Sequence, residues 1–596
     1  MFDNKYAGKL SLIGFFITGL FCLLIGRLVF LQIIEGDSYK RKADGNRLRI
    51  TPIIATRGSF VDRNDKALVT SRPGFVVSLS MIDKNRLDKP GIYKLAQLLR
   101  VSPEELLDKI EQNKDANRLI VRNDVPTEIV LLLEERKREF PNMVIEVQPV
   151  RFYNNLDVAA HILGYVGDIS EGEYERLKAD PLYQKYSIVG KAGLESFFDK
   201  MVRGRDGYEQ VEVNVSGRIV DRLGRVEPVA GNGLKLTIDL DLQRAVEKAV
   251  DEQLLYLRNT GLAPSAYAAS VVVLNPNTGE VLAMVSRPNF NPNFFVQGIS
   301  YKNWNEINNN PNDPLTNKAI SGEYPPGSSF KIVTATAALS TGKVTPNELY
   351  YDPGHHPLVP TMGNDGGKAL GYLNLREAMA KSDNVYFYEM GYRAGIDALA
   401  KFSRQFGMGA VTGISLFGES EGQVANPDYK LRIFDADWYL GDTMNAAIGQ
   451  GYQLATPIQL ANLMACFANG GTRYKPYLVK NIFNEKDGII KETQPEVLGK
   501  IDVSQENMDA IKLGVRGVAE PGGTGAQLAD FPLPLAGKTG TAENPHGKDH
   551  GVFVGYGPFN NPQIVVAVVV EQGGYASISA VPIARKVFAA AFGVKE

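Results

Sequence analysis

The sequence has few of the residues that build disulfide scaffolds or metal clusters. Its 596 residues include two cysteines, Cys22 and Cys466, and five histidines. Cys22 falls in an apolar N-terminal run, so no disulfide with Cys466 is expected, and two cysteines neither indicate nor exclude secretion. The adjacent His355 and His356 have no acidic or cysteine partner at ligand spacing, so no metal site is predicted. The formal net charge of −2 argues against a basic surface for nucleic acid.

Composition instead describes a large folded protein. Hydrophobic residues make up 44% of the chain and charged residues 22%, which is ordinary for globular domains. The length suggests about three to four domains, and we find no internal repeat.

An apolar run near the N-terminus predicts a membrane anchor. Residues 10–26 carry no charge, and after Arg27 the run resumes through Ile34. A helix of this length can cross a bilayer, with Arg27 reaching toward one interface. No small-x-small cleavage site follows, so a retained anchor is favoured over a cleaved signal peptide. Lysines flank both ends of the run, so charge alone leaves the orientation open.

The pattern after the anchor predicts an α+β protein. Strand-like runs around Asn64 and Asp65 suggest a hairpin, and Ser102 with Glu105 predicts a capped helix start. A Pro/Gly-rich passage at residues 226–233 suggests a link to the next domain. Beyond it, five segments predict a hairpin, three strands and a final helix. The hairpin is at residues 270–285, the strands are at 535–542, 550–556 and 564–571, and the helix is at 582–592. We therefore expect one antiparallel sheet assembled from both ends of this region and covered by helices.

One short stretch has the pattern of a nucleophile. Residues 324–331 (YPPGSSFK) join a Pro-Pro-Gly turn to an Ala-rich apolar helix, and on a first helical turn Ser328 and Lys331 project from the same face. A partly desolvated lysine can be neutral enough to take a serine proton. Free N–H groups at the helix start can stabilise an oxyanion. The same spacing recurs at Ser340 and Lys343, so the pattern is weak alone.

Two downstream motifs supply partners for this serine. Ser382-Asp383-Asn384 follows a predicted helix, and Lys538-Thr539-Gly540-Thr541 lies on a predicted strand. Ser-x-x-Lys, Ser-x-Asn and Lys-Thr-Gly in this order are typical of penicillin-binding proteins and class A β-lactamases. The three motifs together make a coincidence of ordinary turns and strands improbable.

The chemistry of these residue types explains why they belong together. Lys331 would accept the proton of Ser328 during attack on a carbonyl, and Ser382 would relay a proton to the departing amine. Asn384 would hold a substrate amide, and Lys538 with Thr539 would bind a carboxylate. On the strand, the small Gly540 would let a substrate lie along the edge as an added strand, and the N–H groups of Ser328 and Thr541 would form the oxyanion hole. We predict as catalytic Ser328, Lys331, Ser382, Asn384 and Lys538, and as substrate-binding Asp383, Thr539, Gly540 and Thr541.

On these motifs the chain resembles the penicillin-binding proteins, specifically the class B, monofunctional D,D-transpeptidases. Residues 57–63 and 190–195 resemble motifs of the N-terminal pedestal domain of that family. Residues 441–443 and 449–451 resemble motifs of its transpeptidase domain. The region before Leu234 is too short for the glycosyltransferase domain of class A members. Residues 324–327 and 352–354 are most similar to penicillin-binding protein 2, the elongation-type group, although His355 and His356 replace the aromatic pair expected there.

The resemblance implies an architecture. We expect a cytoplasmic tail at residues 1–9, a transmembrane anchor at 10–34, an elongated pedestal (dimerisation-type) domain at 35–230 and a transpeptidase domain at 231–596. The last would have the penicillin-binding transpeptidase fold, an antiparallel sheet covered by helices.

The resemblance also implies a reaction and a place. Ser328 would attack the penultimate D-Ala carbonyl of a peptidoglycan stem pentapeptide, D-Ala would leave, and an amine of a neighbouring stem would resolve the acyl-enzyme. β-Lactams would acylate the same serine, and no cofactor is needed. The catalytic domain would lie outside the cytoplasmic membrane. Implied partners are a glycosyltransferase of the SEDS (shape, elongation, division and sporulation) type and elongation-complex scaffold proteins.

Three alternatives stay open at this point. A division-type transpeptidase would share the chemistry and differ in its partners. A carboxypeptidase or β-lactamase would release the acyl group to water. A β-lactam sensor would need a cytoplasmic effector region, for which the short segment before the anchor leaves no room.

Overall fold

The computed structural model describes residues 7–35, 48–81, 88–112, 118–185, 187–213, 219–296, 298–484 and 486–595. The chain divides into two compact units. Unit 1 comprises Met1–Thr56 and Gly204–Ala230, and unit 2 comprises Arg57–Arg203 and Gly231–Glu596. The domain boundaries expected from the sequence remain a prediction.

Unit 1 contains the apolar helix and a small sheet. The helix Ala7–Val29 continues into a π-helical turn, Phe30–Ile34. Among the described residues, Gly8–Ile34 is the one helical segment long and apolar enough to cross a membrane, and it includes the predicted anchor at 10–34. The sheet is antiparallel and consists, in spatial order, of Leu48–Ile53, Gly207–Val213 and Ile219–Val226.

The first part of unit 2 is built on a mixed sheet to which distant segments contribute. The long strand Ala67–Ser80 pairs with its neighbours in antiparallel fashion, and Phe60–Val61 pairs in parallel with Gly233–Leu236. The other strands of this sheet are Arg118–Val125, Met143–Tyr153, Val479–Asn484 and Gly488–Glu492. Helices on this part of unit 2 are Lys89–Leu99, Pro103–Gln112, Thr127–Glu135, Ala160–Leu163, Glu171–Leu177, Gly193–Phe197 and Asp199–Val202, with a two-stranded ribbon of Val166–Asp168 and Ile188–Gly190. The predicted cap is present, because the hydroxyl of Ser102 accepts a hydrogen bond from the Glu105 amide at 3.3 Å.

A buried ion cluster joins residues 57–63 and 190–195, the two segments that resemble motifs of the pedestal domain. Glu195 is fully buried and accepts hydrogen bonds from Arg57 Nη2 at 2.7 Å and Arg151 Nε at 2.5 Å. Arg57 also donates to Asp199 at 2.9 Å. A buried carboxylate is tolerated when such partners satisfy it, so this cluster fixes Arg57 near the start of unit 2 against the helix Gly193–Phe197.

The core of unit 2 is the predicted five-stranded antiparallel sheet. We number its strands along the chain as β1 (Ala269–Leu274), β2 (Val281–Arg287), β3 (Ala536–Ala542), β4 (His550–Gly557) and β5 (Ile564–Val570). The spatial order is β2-β1-β5-β4-β3, so strands from both ends of the region meet at the β1–β5 pair and β3 lies at one edge. The prediction of one sheet assembled from both ends is confirmed.

Helices cover both faces of this sheet. We number the helices that position the site α1 (Leu240–Asn259), α2 (Lys331–Ser340), α3 (Leu375–Lys381), α4 (Asn384–Ala394), α5 (Pro457–Ala468), α6 (Gln505–Val518) and α7 (Ala580–Phe592). Alternate residues of β5 face opposite cores: Val566 and Val568 pack with α1 and α7, whereas Val565 and Ala567 face the core that contains α2 and α5. Every residue of β5 is buried, which explains its unbroken apolar sequence.

Shorter elements complete unit 2. The remaining helices are Asn293–Val296, Tyr301–Asn308, Lys318–Ser321, Ile396–Gln405, Pro427–Phe434 and Leu440–Ala447. Short ribbons pair Tyr350–Asp352 with Gly371–Leu373, His355–His356 with Val359–Gly363, and Thr472–Tyr474 with Val497–Lys500. The 3₁₀ turns are Lys137–Glu139, Gly327–Phe330, Asp365–Gly367 and Ala526–Leu528.

Candidate active site

Ser328 lies on a 3₁₀ turn, Gly327–Phe330, that leads directly into α2 at Lys331. The backbone N–H of Gly327 donates to the carbonyl oxygen of Gly449 at 2.9 Å, and the Ser329 hydroxyl donates to the Pro326 carbonyl at 2.6 Å. Both bonds fix the turn that carries the serine. Ser328 is partly exposed, whereas Lys331 is completely buried, so of the two only the serine is accessible from solvent.

Lys331 connects this turn to the second predicted motif. Its Nζ donates to the Ser382 carbonyl oxygen at 2.8 Å and to Asn384 Oδ1 at 2.6 Å, and it lies 3.4 Å from Ser382 Oγ. Ser382 ends α3 in the left-handed region with a φ of 57°. A non-glycine residue held in this region marks a backbone that its surroundings constrain.

Lys538 approaches the same hydroxyl from β3. Its Nζ lies 2.7 Å from Ser382 Oγ and 3.1 Å from the carbonyl oxygen of Thr539. The structure thus brings the predicted catalytic residues Lys331, Ser382, Asn384 and Lys538 into one hydrogen-bonded group beside the Ser328 turn.

The electrostatics of this group favour neutral lysines. Burial lowers the pKa of Lys331, although the carboxylate of Asp383 opposes the shift. Burial also lowers the pKa of Lys538, well below its usual value, and the nearby charge of Lys331 lowers it further. Since desolvation penalises an ammonium, a neutral amine that can accept a proton is available in the site.

One face of β3 packs against the Ser328 turn at backbone contact. A Cβ placed on Gly540 would lie 2.9 Å from the Pro326 carbonyl oxygen and 3.4 Å from the Ser329 amide nitrogen, so only glycine fits there. Gln450 Nε2 donates to the carbonyl oxygen of Thr541 at 3.2 Å. Among the residues that the structure describes, β3 pairs with a strand on one side only, so its other edge is available for an added strand.

Asp383, which the sequence predicts to bind substrate, lies buried at the start of α4. It is 1% exposed, and its Oδ1 accepts a hydrogen bond from the Tyr386 amide at 2.8 Å, which caps α4. Burial and the neighbouring carboxylate of Asp352 raise its pKa. A substrate contact for Asp383 remains a prediction that its burial does not support.

Asn364 is a site residue that the sequence did not indicate. Its Oδ1 accepts hydrogen bonds from the amides of Asn384 at 2.7 Å and Val385 at 3.3 Å. Its Nδ2 donates to Asp352 Oδ2 at 2.7 Å and to the Lys368 carbonyl at 2.9 Å. Asn364 therefore holds the start of α4, from which Asn384 reaches Lys331. A lone asparagine in a loop carries no signal of this role.

Thr524 is a second such residue. Its hydroxyl lies 2.6 Å from the hydroxyl of Thr539, and its amide donates to the carbonyl of Ala380 in α3 at 3.1 Å. It thus joins the strand of Lys538 and Thr539 to the helix that ends at Ser382. The Gly-Gly-Thr-Gly loop at 522–525 was the only available signal, and glycines alone indicate just a turn.

The histidine pair lies beside the site in a structural role. His356 is buried, and its Nε2 lies 3.0 Å from Glu389 Oε2. Within the described ranges, no group of three or more histidine, cysteine or acidic side chains could hold a metal ion.

Comparison with known proteins identifies this arrangement. The family model described as the penicillin binding protein transpeptidase domain matches residues 269–589. The chain belongs to the penicillin-binding proteins. The model of the penicillin-binding protein dimerisation domain matches residues 52–236. This range contains both pedestal motifs of this penicillin-binding protein.

Individual relatives define the type of penicillin-binding protein. The peptidoglycan D,D-transpeptidase MrdA of Acinetobacter baumannii is 34% identical over 98% of this chain and 87% of its own. A solved complex of penicillin-binding protein 2 and MreC from Helicobacter pylori aligns with a TM-score of 0.76 at 27% identity, covering 91% of this chain and 99% of that chain. A chain of a peptidoglycan synthase complex, solved for its structural coordination of polymerization and crosslinking, aligns with a TM-score of 0.73 at 32% identity, covering 99% of both chains. The predicted class B, penicillin-binding protein 2 type and fold are confirmed.

Proposed function

We propose that this protein is a peptidoglycan D,D-transpeptidase that cross-links stem peptides during cell-wall elongation through an acyl-enzyme on Ser328. The observation that carries the proposal is the convergence of Lys331 and Lys538 on the Ser382 hydroxyl, beside the Ser328 turn and the open edge of β3. Membership of the penicillin-binding protein 2 group supports the same reaction.

In the first half-reaction, the donor stem lies along the edge of β3. Thr539 and Lys538 bind its terminal carboxylate, and the N–H groups of Ser328 and Thr541 face the carbonyl oxygen of the penultimate D-Ala. The Ser328 oxygen attacks that carbonyl carbon while neutral Lys331 takes the hydroxyl proton. The two N–H groups stabilise the negative charge that develops on the carbonyl oxygen.

The proton then moves to the leaving group. Ser382 Oγ lies within hydrogen-bonding distance of both lysine nitrogens, so its hydroxyl can pass a proton from Lys331 to the amine of the departing D-Ala. Loss of D-Ala leaves an ester on Ser328. In the second half-reaction, an amine of a neighbouring stem attacks the ester carbonyl, returns its proton by the same route and regenerates the Ser328 hydroxyl.

The proposed reaction sets the topology of the protein. Stem peptides lie outside the cytoplasmic membrane, so the helix within Gly8–Ile34 would anchor the chain with its catalytic unit on the outer side. The relatives include penicillin-binding protein 2 in complex with MreC and a peptidoglycan synthase complex. We propose a scaffold protein of the MreC kind and a SEDS-type glycosyltransferase as partners of this chain.

Labelling with a fluorescent penicillin tests the central assignment. We expect a stable adduct on the wild-type protein, no adduct on Ser328→Ala, and full labelling of Ser340→Ala, which alters the exposed second Ser-x-x-Lys pattern at the end of α2. Equal labelling of Ser328→Ala and wild type would reject Ser328 as the nucleophile. Rapid release of the hydrolysed penicillin would instead indicate a β-lactamase.

Depletion in cells tests the elongation role. Rounded cells are expected when an elongation enzyme is lost. Filamentous cells would contradict this role and favour the division-type alternative.

A further inference from the structure

A pocket separate from the catalytic group lies in unit 2 between three distant parts of the chain. It has a volume of about 620 Å³ and is lined largely by side-chain amides. Its lining includes Tyr267, Asn305, Glu306, Asn309, Asn312 and Gln572. The asparagines come from the helix Tyr301–Asn308 and the loop after it, which precede the Ser328 turn and have no part in the mechanism above.

The register of the central sheet places this pocket at the end where β3 terminates. Ala542, the last residue of β3, pairs with His550, and the end of β5 at Val570 pairs with Ala269 at the start of β1. Tyr267 lies two residues before Ala269, and Gln572 lies two residues after Val570. The backbone N–H of Gln572 donates to His550 Nδ1 at 3.0 Å. This bond connects the pocket to His550, the β4 residue that pairs with Ala542.

The direction of the donor stem follows from the proposed function, on which this inference rests. The terminal carboxylate lies at Thr539 and the scissile carbonyl at Thr541, so the stem continues past Ala542. Its other end carries the sugar of the glycan strand. The sugar therefore leaves the cleft at the end of the sheet where the pocket lies.

The stem is long enough to leave the cleft. Its four residues upstream of the scissile bond span about 13 Å when extended along β3, and β3 ends at Ala542, one residue after Thr541. The attached glycan therefore emerges past this end of the sheet. A glycan strand that crosses this end meets Tyr267 and Gln572 beside β1 and β5, two to three strand spacings of about 5 Å each from β3.

The lining suits a neutral, hydroxyl-rich ligand. Within the part of the chain that the structure describes, the side-chain amides of Asn305 and Asn309 have no hydrogen-bond partner, and each offers both donors and an acceptor. Tyr267 is 52% exposed and presents an aromatic body with a polar tip. No lysine or arginine is among the described residues that line the pocket, which disfavours an anion.

Hydrogen bonds fix the asparagine loop that lines the pocket. Lys318 is 7% exposed, and its Nζ donates to the carbonyl oxygens of Asn312 at 2.5 Å and Asp313 at 3.2 Å. The side chain of Asn310 accepts a hydrogen bond from the Asn312 amide at 3.0 Å. These bonds hold the asparagine loop in place without using Asn305 or Asn309, so a ligand meets a preformed site.

We propose that this pocket binds the glycan strand of the donor, through N-acetylated amino sugars attached to the stem. Asn305 and Asn309 hydrogen-bond the sugar hydroxyl and acetamido groups, and the ring of Tyr267 packs against the sugar. The contact would select stems carried on a polymer over free stem peptides.

The test is binding of the tetramer of N-acetylglucosamine to the full-length protein in detergent, measured by calorimetry or ligand-observed NMR. Tyr267→Ala and Asn309→Ala are the test variants. Tyr301→Ala and Asn308→Ala are matched controls, because both residues are exposed on the adjoining helix and neither lines the pocket. Fluorescent penicillin labelling of Ser328 is measured on every sample.

We expect the wild type and both controls to bind the saccharide, and each test variant to bind at least about fivefold more weakly. This is the effect of one lost hydrogen bond for Asn309→Ala and of one lost aromatic contact for Tyr267→Ala. Labelling should be equal in all five proteins. A wild type that is labelled but does not bind the saccharide overturns this inference and leaves the proposed function intact. Equal saccharide binding by all variants overturns it as well. A wild type that is not labelled rejects the proposed function, and the inference with it.

Discussion

The Nζ of Lys538 lies 2.7 Å from the hydroxyl oxygen of Ser382. The Nζ of Lys331, at the start of α2, lies 3.4 Å from the same oxygen, and neither lysine has any exposed surface. Two buried ammonium groups around one hydroxyl would be costly to desolvate. The site is therefore built to hold fewer protons than two ordinary lysines carry, and this governs its response to pH.

Acylation of Ser328 should accelerate as the pH rises. Because burial lowers the pKa of Lys331, the neutral amine forms well below the ordinary lysine pKa of about 10.4. Below its lowered pKa, Lys331 is protonated and cannot accept the serine proton. We expect the second-order rate constant for penicillin acylation to increase through an apparent pKa several units lower than that of free lysine. Stopped-flow measurement across the pH range checks this.

Two variants sharpen the pH test. Lys331→Met should lose acylation at every pH, whereas Lys343→Met, in the second Ser-x-x-Lys pattern, should keep the wild-type profile. A rate that falls with rising pH would contradict Lys331 as the base.

Asn364 should be required for acylation although it does not reach Ser328 in our mechanism. Asn364→Ala removes the acceptor of the Asn384 amide at 2.7 Å and the donor to Asp352. Asn384 would then lose its orientation toward Lys331. Loss of two to three hydrogen bonds of about 1 kcal/mol each predicts acylation slower by about 30- to 160-fold.

The control for Asn364 is His355→Ala, an exposed residue of the neighbouring ribbon. It should acylate at close to the wild-type rate. Because Asn364 acts through Asn384, the Asn364→Ala and Asn384→Ala effects should not add in the double variant. Additive effects would show that Asn364 acts independently of Asn384.

The central sheet and the three motifs that meet at the candidate site were visible in the sequence for a physical reason. The strand β5 is an unbroken apolar run and β1 is apolar except for Ser270, because both faces of each strand are buried, and such runs remain visible in any single sequence. The three motifs were visible because the chemistry of a nucleophile and its proton acceptors allows only a few residue types at each fixed spacing.

Contacts between distant polar residues were not predictable. Thr524 and Thr539 meet only because α6 returns the chain to the edge strand, and Asn364 meets Asn384 across a loop without periodicity. The strands Val479–Asn484 and Gly488–Glu492 join the sheet of Ala67–Ser80, a pairing that no local pattern specifies. Sequence patterns report which face is buried, but not which buried partner lies opposite.

The ion cluster of the first part of unit 2 should govern stability rather than chemistry. Glu195→Gln leaves Arg57 and Arg151 buried without their shared carboxylate. Removing one partner of a buried ion pair typically costs about 3–5 kcal/mol. We expect a clearly lower melting temperature by calorimetry, with Ser328 still labelled by penicillin at temperatures where the variant stays folded.

A surface ion pair provides the control for this effect. Glu175→Gln disrupts an exposed i,i+3 pair with Lys178, and such solvent-screened surface pairs contribute little to stability. Its melting temperature should stay near that of the wild type. Equal melting temperatures for the Glu195 and Glu175 variants would mean that the buried cluster contributes no net stability.

Thr524 should tune recognition of the substrate carboxylate through Thr539. The two hydroxyls lie 2.6 Å apart, so Thr524 orients the Thr539 hydroxyl that we assign to the carboxylate. Thr524→Val keeps the shape and removes the hydroxyl, and we expect acylation by a carboxylate-bearing penicillin to fall about two- to tenfold, the effect of one hydrogen bond.

Rescue by serine separates orientation from packing at this position. Thr524→Ser restores the hydroxyl and loses only the methyl group, so acylation should return toward the wild-type rate. A penicillin methyl ester, which lacks the carboxylate, should react equally slowly with wild type and Thr524→Val. If Thr524→Val slows acylation by the ester as much as by the acid, Thr524 supports the fold of the loop and not the carboxylate contact.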